Sequence, residues 1–418
     1  MNLVVLVVDR LHSGFLGCYG NTWVATPHFN RLAAEGFLFD QAFVDQPDVP
    51  ELCRSWWSGT HRLERETADG KLPAQLLLAE RFAGAGFVTT CMTDEPLVAD
   101  HPLAGRFEEV LRLGPAANAE HTAPGDSIEE THLARFFASA VEWLDGAREP
   151  FFLWLHSQGM SAPWDAPDEF RLQYADADEM PPPCITQPPS RDLASHDDPD
   201  ELWGICQSYA GQVTLLDECL GGWLESLEAE QLLADTLLVV LGARGFPLGR
   251  NGHLGDVEQA LFGELVQTPW LMRFPDRLNA AGRSASLVQP SDLAPTLLEI
   301  GGLAVAAGGS GRSLMPLVRE ELFALRDRIC LVGRDGERGF RTPAWYLRTP
   351  AGRTPGDQPL AKLYAKPDDR WEQNDVADRC PDVVAALAAA QNELAAGLAA
   401  GTWPERSPLD DSLVNDLR

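Results

Sequence analysis

The sequence predicts an α/β protein: a mostly parallel central sheet flanked by helices, followed by a smaller C-terminal α+β part. Leu3–Val8 (LVVLVV) is six apolar residues without alternation, the pattern of a strand buried on both faces. Similar runs recur at 87–92, 151–156 and 236–241, with stretches of helical periodicity between them. That alternation belongs to a parallel sheet with crossover helices. Late in the chain the strand candidates become short, and an alanine-rich helix closes the sequence at 383–399. An α/β domain over 1–319 and an antiparallel-sheet-plus-helix subdomain over 320–418 are expected.

The elements follow in order. Asn30–Phe39 fits a helix with Leu32, Ala33 and Gly36 on one side. Leu76–Gly86 is a second helix, closed by glycine. Residues 95–130 carry no clear period until Ile128–Leu144, where Leu133, Phe136, Phe137, Val141 and Leu144 share a face. The acidic, proline-rich stretch 163–199 reads as a surface excursion. Glu201–Leu227 returns to helix, and Trp270–Phe274 is a fifth strand. Ser291–Gly301 is a helix with Ser291 as its N-cap. A glycine-rich break at 306–311 precedes strand candidates at 330–333, 344–348 and within 362–378.

Composition narrows the function classes. The net charge is -29 over 418 residues, which disfavours nucleic acid and anionic membranes as partners, because both need a basic surface. No apolar run reaches the length of a membrane span. The eight cysteines lack paired spacing and read as reduced thiols. With no cleavage site after the first apolar run, cytoplasm is the expected compartment; a processed secreted chain reads the same way.

Asp9 falls where the first strand ends, and ligand sites of open α/β sheets lie outside the carboxyl ends of their strands. Beyond it come GCYGN (17–21), TPHFNRLAAEGFLFDQAF (26–43) and CRSWWSGTH (53–61), and later SDLAPTLLEIGG, GRSLMPLV and PDDRWEQNDVAD. On these motifs, in this order, the chain resembles the sulfatase family of the alkaline phosphatase superfamily across nearly its whole length. The resemblance implies a hydrolase fold, a formylglycine nucleophile on a C/S-x-P-x-R motif, a calcium ion held by acids, and charged groups that stabilise the ester.

The departures from that pattern fall on the chemistry. Aligned on Arg54 and the Ser58–Gly59 turn, the nucleophile position is Pro50, and Cys53 lies three residues late and reads as a buried thiol. The opening acidic pair is Asp9-Arg10, and the late acidic pair is replaced by Ala243 and Arg244. One remaining carboxylate cannot hold a calcium ion that wants six or more oxygens, so neither calcium nor another cofactor is expected; calcium belongs to the competing, active reading. The family's lysine and histidine after the second strand align with Thr93–Pro96, its later histidine with Ser161, and its last lysine with Asp256. His156 reads as core-packed.

The expected function is a catalytically inactive sulfatase-like protein acting as an anion-binding or scaffold module. The alternatives are a divergent sulfuric or phosphoric ester hydrolase, with water activated near Asp9, His12 or His253, and a structural subunit with a vestigial cleft. The candidate anion-binding residues are Asp9, Arg10, Arg54, Arg244 and His253, with His12 and His61 nearby in the motifs. Guanidinium groups hydrogen-bond an oxyanion through two parallel donors. The matching partner is a sulfated, phosphorylated or carboxylated small molecule or sugar, or a protein. In the competing arrangement Arg10 and Arg244 pair with Asp9 and acids such as Asp256, or turn to solvent.

Overall fold

The structure, a computed structural model, describes all residues except 65–76, 115–123, 177–179, 195, 256–259, 306–307, 352–359, 402–407 and 416–418. Fourteen strands are described. They are β1 (Asn2–Val8), β2 (Phe37–Ala42), β3 (Val88–Thr93), β4 (Glu109–Arg112), β5 (Phe151–Ser157), β6 (Ser190–Asp192) and β7 (Thr236–Gly242), then β8 (His253–Gly255), β9 (Trp270–Arg273), β10 (Gly282–Val288), β11 (Ile329–Val332), β12 (Arg338–Arg341), β13 (Trp345–Thr349) and β14 (Lys362–Ala365).

Eight of these strands form one sheet in the order β10-β2-β9-β7-β1-β5-β3-β4. β1 lies between β5 and β7 and is parallel to both, and β3 is parallel to β5 and β4. All seven residues of β1, β5 and β7 are buried, which explains their unbroken apolar runs. β9 is antiparallel to β7 and to β2.

The chain forms two compact units. The first holds residues 1–40, 86–257 and 268–283, and the second holds 41–85, 258–267 and 284–418. In the first unit the long helix Pro199–Ala229 buries Tyr209, Val213, Leu216, Leu220 and Trp223. It packs on the helix His132–Asp145, where the Phe137 and Trp223 rings are 5.7 Å apart. The motif residues GCYG and the asparagine of TPHFN meet here: a Cβ on Gly17 would lie 2.6 Å from Asn30 Oδ1. In the second unit β11–β14 form an antiparallel sheet. Phe340, Leu347 and Leu363 from that sheet share a core with Leu387, Leu394 and Leu398 of the helix Pro381–Ala399. The sheet and helix expected over 320–418 are both present, in a unit that also takes in earlier residues.

Several expectations are corrected. The first helix is Pro27–Glu35, and Phe37–Phe39 already belong to β2; three phenylalanine and leucine side chains in a row suit a strand as well as a helix end. The second helix spans Leu78–Gly84, and Leu76 lies outside the described residues. The stretch 95–130, read as irregular, contains a short helix (Pro96–Ala99) and the edge strand β4, whose EVLR sequence is too short and too charged to register as a period. Ser291 is not an N-cap. Gln289 and Asp292 form a capping box there, with Asp292 Oδ2 accepting from Gln289 N at 2.8 Å. Among the described residues no helix is long and apolar enough to cross a membrane, and the eight cysteines are free thiols.

Candidate functional site

The carboxyl ends of four neighbouring parallel strands carry the polar side chains of the candidate site. Arg244 follows β7, Asp9 follows β1, Ser157–Ser161 follow or end β5, and Asp94–Glu95 follow β3. Register brings them together: Val8 lies opposite both Ser157 and Gly242. Beyond that row, Asp9 N donates to Ser157 O at 3.0 Å and Ala243 N donates to Val8 O at 3.0 Å.

Asp9 is fully buried and its carboxylate is occupied from inside the protein. Arg244 Nε donates to Asp9 Oδ1 at 3.0 Å, and Arg244 Nη2 donates to Asp9 Oδ2 at 2.5 Å. Ser161 Oγ donates to the same Oδ2 at 3.1 Å. This is a two-point fork between a planar guanidinium and a carboxylate, the strongest geometry such a pair can adopt. Burial acts to raise the Asp9 pKa, but the Arg244 charge and hydrogen bonds, helped by Arg10 and His156, hold it down to about 2. Asp9 is therefore an anion with its counterion already in place.

Arg10 is also fully buried, and its backbone has φ +58°. A non-glycine residue in that left-handed region costs about 1–3 kcal/mol and persists where the surroundings enforce it. They do so here. Tyr209 Oη donates to Arg10 O at 2.7 Å and accepts from His12 N at 2.9 Å, and Arg10 Nη1 donates to Gly245 O at 3.5 Å. Burial, then the Arg244 charge, lowers the Arg10 guanidinium to about 9, with Asp9 opposing. His12 Nδ1 accepts from Gly14 N at 2.9 Å, so that nitrogen serves the turn. Gly159 opens the turn after β5 with φ +52°. A Cβ there would sit 2.4 Å from Asp9 O, so only glycine lets the β5 loop pass this close.

The remaining sequence candidates lie elsewhere. His253 opens β8 in the two-stranded sheet with β6, where its Nδ1 is 2.8 Å from Asp192 Oδ1; its partner is an exposed acid, not Asp9. Arg54 belongs to the second unit, in the helix Val49–Ser58. There it ties down the following loop, donating to Glu64 O at 3.1 Å and Arg62 O at 3.4 Å. His61 is fixed in the same loop, with Nε2 3.0 Å from Cys330 O. Pro50 sits in the first turn of that helix behind the N-cap Asp48, and Cys53 is fully buried in it. Asp256 lies outside the described residues.

The His132–Asp94 pair on the edge was not singled out from sequence, while His156 is buried, as its core-packed reading expected. His132 Nε2 is 2.5 Å from Asp94 Oδ2, and His156, buried on β5, stands within the fields of Asp9 and Arg244. Asp94 had a signal of the same kind as Asp9, an acid at the end of an apolar run. His132 had none beyond following the cap residue Thr131.

The family's calcium site does not fit these residues. Asp9 is closed by Arg244, and Ala243, Arg10 and Arg244, the residues the sequence reading set at the family's other ligand positions, offer no carboxylate. Among the described residues no group of three or more His, Cys, Asp or Glu is placed to hold a metal.

The family model described as Sulfatase matches residues 1–303. The chain is 30% identical over 115 residues to N-acetylglucosamine-6-O-sulfatase of Bacteroides thetaiotaomicron, covering 28% of this chain and 20% of that one. It is 23% identical over 367 residues to human iduronate 2-sulfatase, covering 72% of this chain and 65% of that one. The chain thus spans less than two thirds of the length of both relatives. Among solved structures, the phosphonate monoester hydrolase of Agrobacterium radiobacter superposes with a TM-score of 0.77 at 17% identity, over 95% of this chain and 96% of that one. The fold, the order of the motifs and the match over 1–303 together make this chain a member of the sulfatase family of the alkaline phosphatase superfamily.

Proposed function

We propose that this protein keeps the sulfatase fold without sulfatase chemistry and uses the carboxyl edge of its sheet to bind an oxyanion. The observation that carries the reading is Arg10, a second buried guanidinium beside the Asp9–Arg244 fork. The fork itself is the pairing that competes with anion binding, and it accounts for the loss of the cation. At the position where the family places a cation between acids, a fixed guanidinium neutralises the surviving acid. Arg10 adds a second guanidinium beside it, with Glu95 at the edge of the cluster, and a guanidinium beyond the one that Asp9 pairs is the group an oxyanion would meet. Pro50 at the nucleophile position supports the loss of turnover, because its side chain offers no oxygen or sulfur to attack an ester. A sulfate, phosphate or carboxylate group, free or on a small molecule or sugar, is the matching ligand class.

Calorimetric titration with sodium sulfate at low ionic strength tests the binding. Heat in the parent that disappears in Arg10→Met and Arg244→Met supports the reading, and equal, negligible heats in all three end it. A divergent ester hydrolase is the competing reading, favoured by the His132–Asp94 pair, which supplies a proton donor and acceptor on the same edge. The two part on an aryl sulfate and an aryl phosphate assayed with calcium, manganese and zinc in turn. No turnover above background is expected; turnover abolished by Asp94→Asn establishes the hydrolase instead.

A further inference from the structure

The edge carries a second pair of titratable groups beside the Asp9–Arg244 fork. Asp94 follows β3, and its side chain is 5% exposed. Its Oδ1 accepts from Gln158 N at 2.7 Å, and its Oδ2 accepts from Ser157 Oγ at 3.4 Å. His132 Nε2 reaches that same Oδ2 at 2.5 Å. The imidazole is anchored from behind, because His132 N donates to Asp165 Oδ2 at 2.6 Å at the start of its helix. At this separation a carboxylate and an imidazole share one proton, and the titration belongs to the pair rather than to either residue. With one proton the pair is neutral; with two it carries +1, and with none it carries -1.

The connection to the Asp9 site runs through β5. Ser157 donates to Asp94 with its hydroxyl and accepts from Asp9 N with its carbonyl. Glu95, next to Asp94, already lies within the fields of Asp9 and Arg244. The charged and titratable groups around the pair are Glu95 on its own segment, Asp165 behind His132, His156 on β5, and Asp9 and Arg244 further along the edge. Asp9 stays ionised down to about 2, and burial keeps His156 neutral down to about 4. Neither changes charge between pH 5.5 and 8. Burial raises Asp94 to about 7, with Gln158 N opposing, which brings the carboxyl side of the pair into that window. Burial also raises Glu95, so its part must be separated by substitution.

We infer that His132 and Asp94 form a proton-binding site coupled to the anion site on the same sheet edge, so that proton gain tightens and proton loss weakens anion binding. The inference rests on the anion-binding reading above. One unit of charge acting across one or two strands in a partly screened site changes affinity by about fivefold to tenfold.

Sulfate is the probe, because it keeps its charge from pH 5.5 to 8. Calorimetric titration of the whole chain, in buffers of different ionisation enthalpy, counts the protons taken up on binding. The parent should take up a fraction of a proton and lose about fivefold to tenfold in affinity between pH 5.5 and 8. The slope should flatten in Asp94→Asn and His132→Gln and persist in Glu95→Gln. Sulfate heat with no pH dependence, or a slope kept in both pair variants, overturns the coupling and leaves the anion reading standing. No sulfate heat at any pH removes the anion reading and the coupling together. The pair itself is tested without ligand by proton NMR of the imidazoles. The His132 signal, identified by its absence in His132→Gln, should shift its midpoint by about one pH unit or more in Asp94→Asn. A shift of only a few tenths of a unit overturns the pair whatever sulfate does.

Discussion

Asp9 and Arg244 are each tolerable in the interior only because of the other. Removing one partner of a buried ion pair leaves an uncompensated charge and costs about 3–5 kcal/mol. Arg244→Met and Asp9→Asn should therefore each lower unfolding stability by about that much in urea denaturation. The double variant should lose clearly less than the sum, because it removes both charges of the fork together and leaves only Arg10 without its neighbouring carboxylate. Additive losses would show that the fork contributes no coupling energy. The residues of this site were legible one at a time in the sequence: an acid ending an apolar run, and arginines where ligands are expected. Their pairing was only one of two arrangements the sequence left open, because a guanidinium at the end of a long side chain can reach a neighbouring acid or a ligand equally well. Asp94 and His132 stayed hidden for a related reason, since nothing local marks two residues 38 positions apart as partners.

At the scale of elements, the helix Pro27–Glu35 shows how one side chain positions another segment. Its own N-cap, Thr26, makes no side-chain cap bond. Asp217, from the middle of the long helix, caps it instead: Oδ2 accepts from His28 N at 3.0 Å and Oδ1 from Phe29 N at 2.8 Å. Asp217→Ala leaves one buried and one part-buried donor without this acceptor and should cost about 2–3 kcal/mol. Burial raises the Asp217 carboxyl to about 6, with the two N–H groups opposing. Its folded pKa thus lies above its unfolded value, so the folded state holds the extra proton. Its contribution is fullest below about pH 4 and declines as pH rises through about 6. The stability difference between parent and Asp217→Ala, followed from pH 4 to pH 7, should shrink; a growing difference would contradict the assignment. The parallel core strands were legible because β1, β5 and β7 are buried on both faces and carry no polar interruption. β4 was not, being short and charged, nor was β10, whose GRSASLV sequence is mostly small and polar, so that pairing partners, not periodicity, decide their conformation.

At the scale of the whole molecule, a net charge of -29 complicates every test for a metal. A surface this acidic repels itself, and any added salt relieves that repulsion. Sodium, magnesium and calcium should all raise the melting temperature, without any of them having a site. A site adds a second term, because a ligand bound only by the folded state stabilises it in proportion to its occupancy. Calcium needs six or more oxygens, and the Asp9 carboxylate at the end of β1 is held by Arg244. The melting temperatures in calcium and magnesium chloride should therefore fall on one curve when plotted against ionic strength. At equal concentration sodium chloride should raise the melting temperature less, since a 1:1 salt contributes less ionic strength than a divalent chloride. Asp9→Asn should shift all three curves down together, by the stability it removes, without changing their spacing. A calcium curve that rises above the magnesium curve, saturates at one ion per chain and returns to it in Asp9→Asn would mean that Arg244 gives way to a metal. That result would bring the catalytic reading of the family back for this chain.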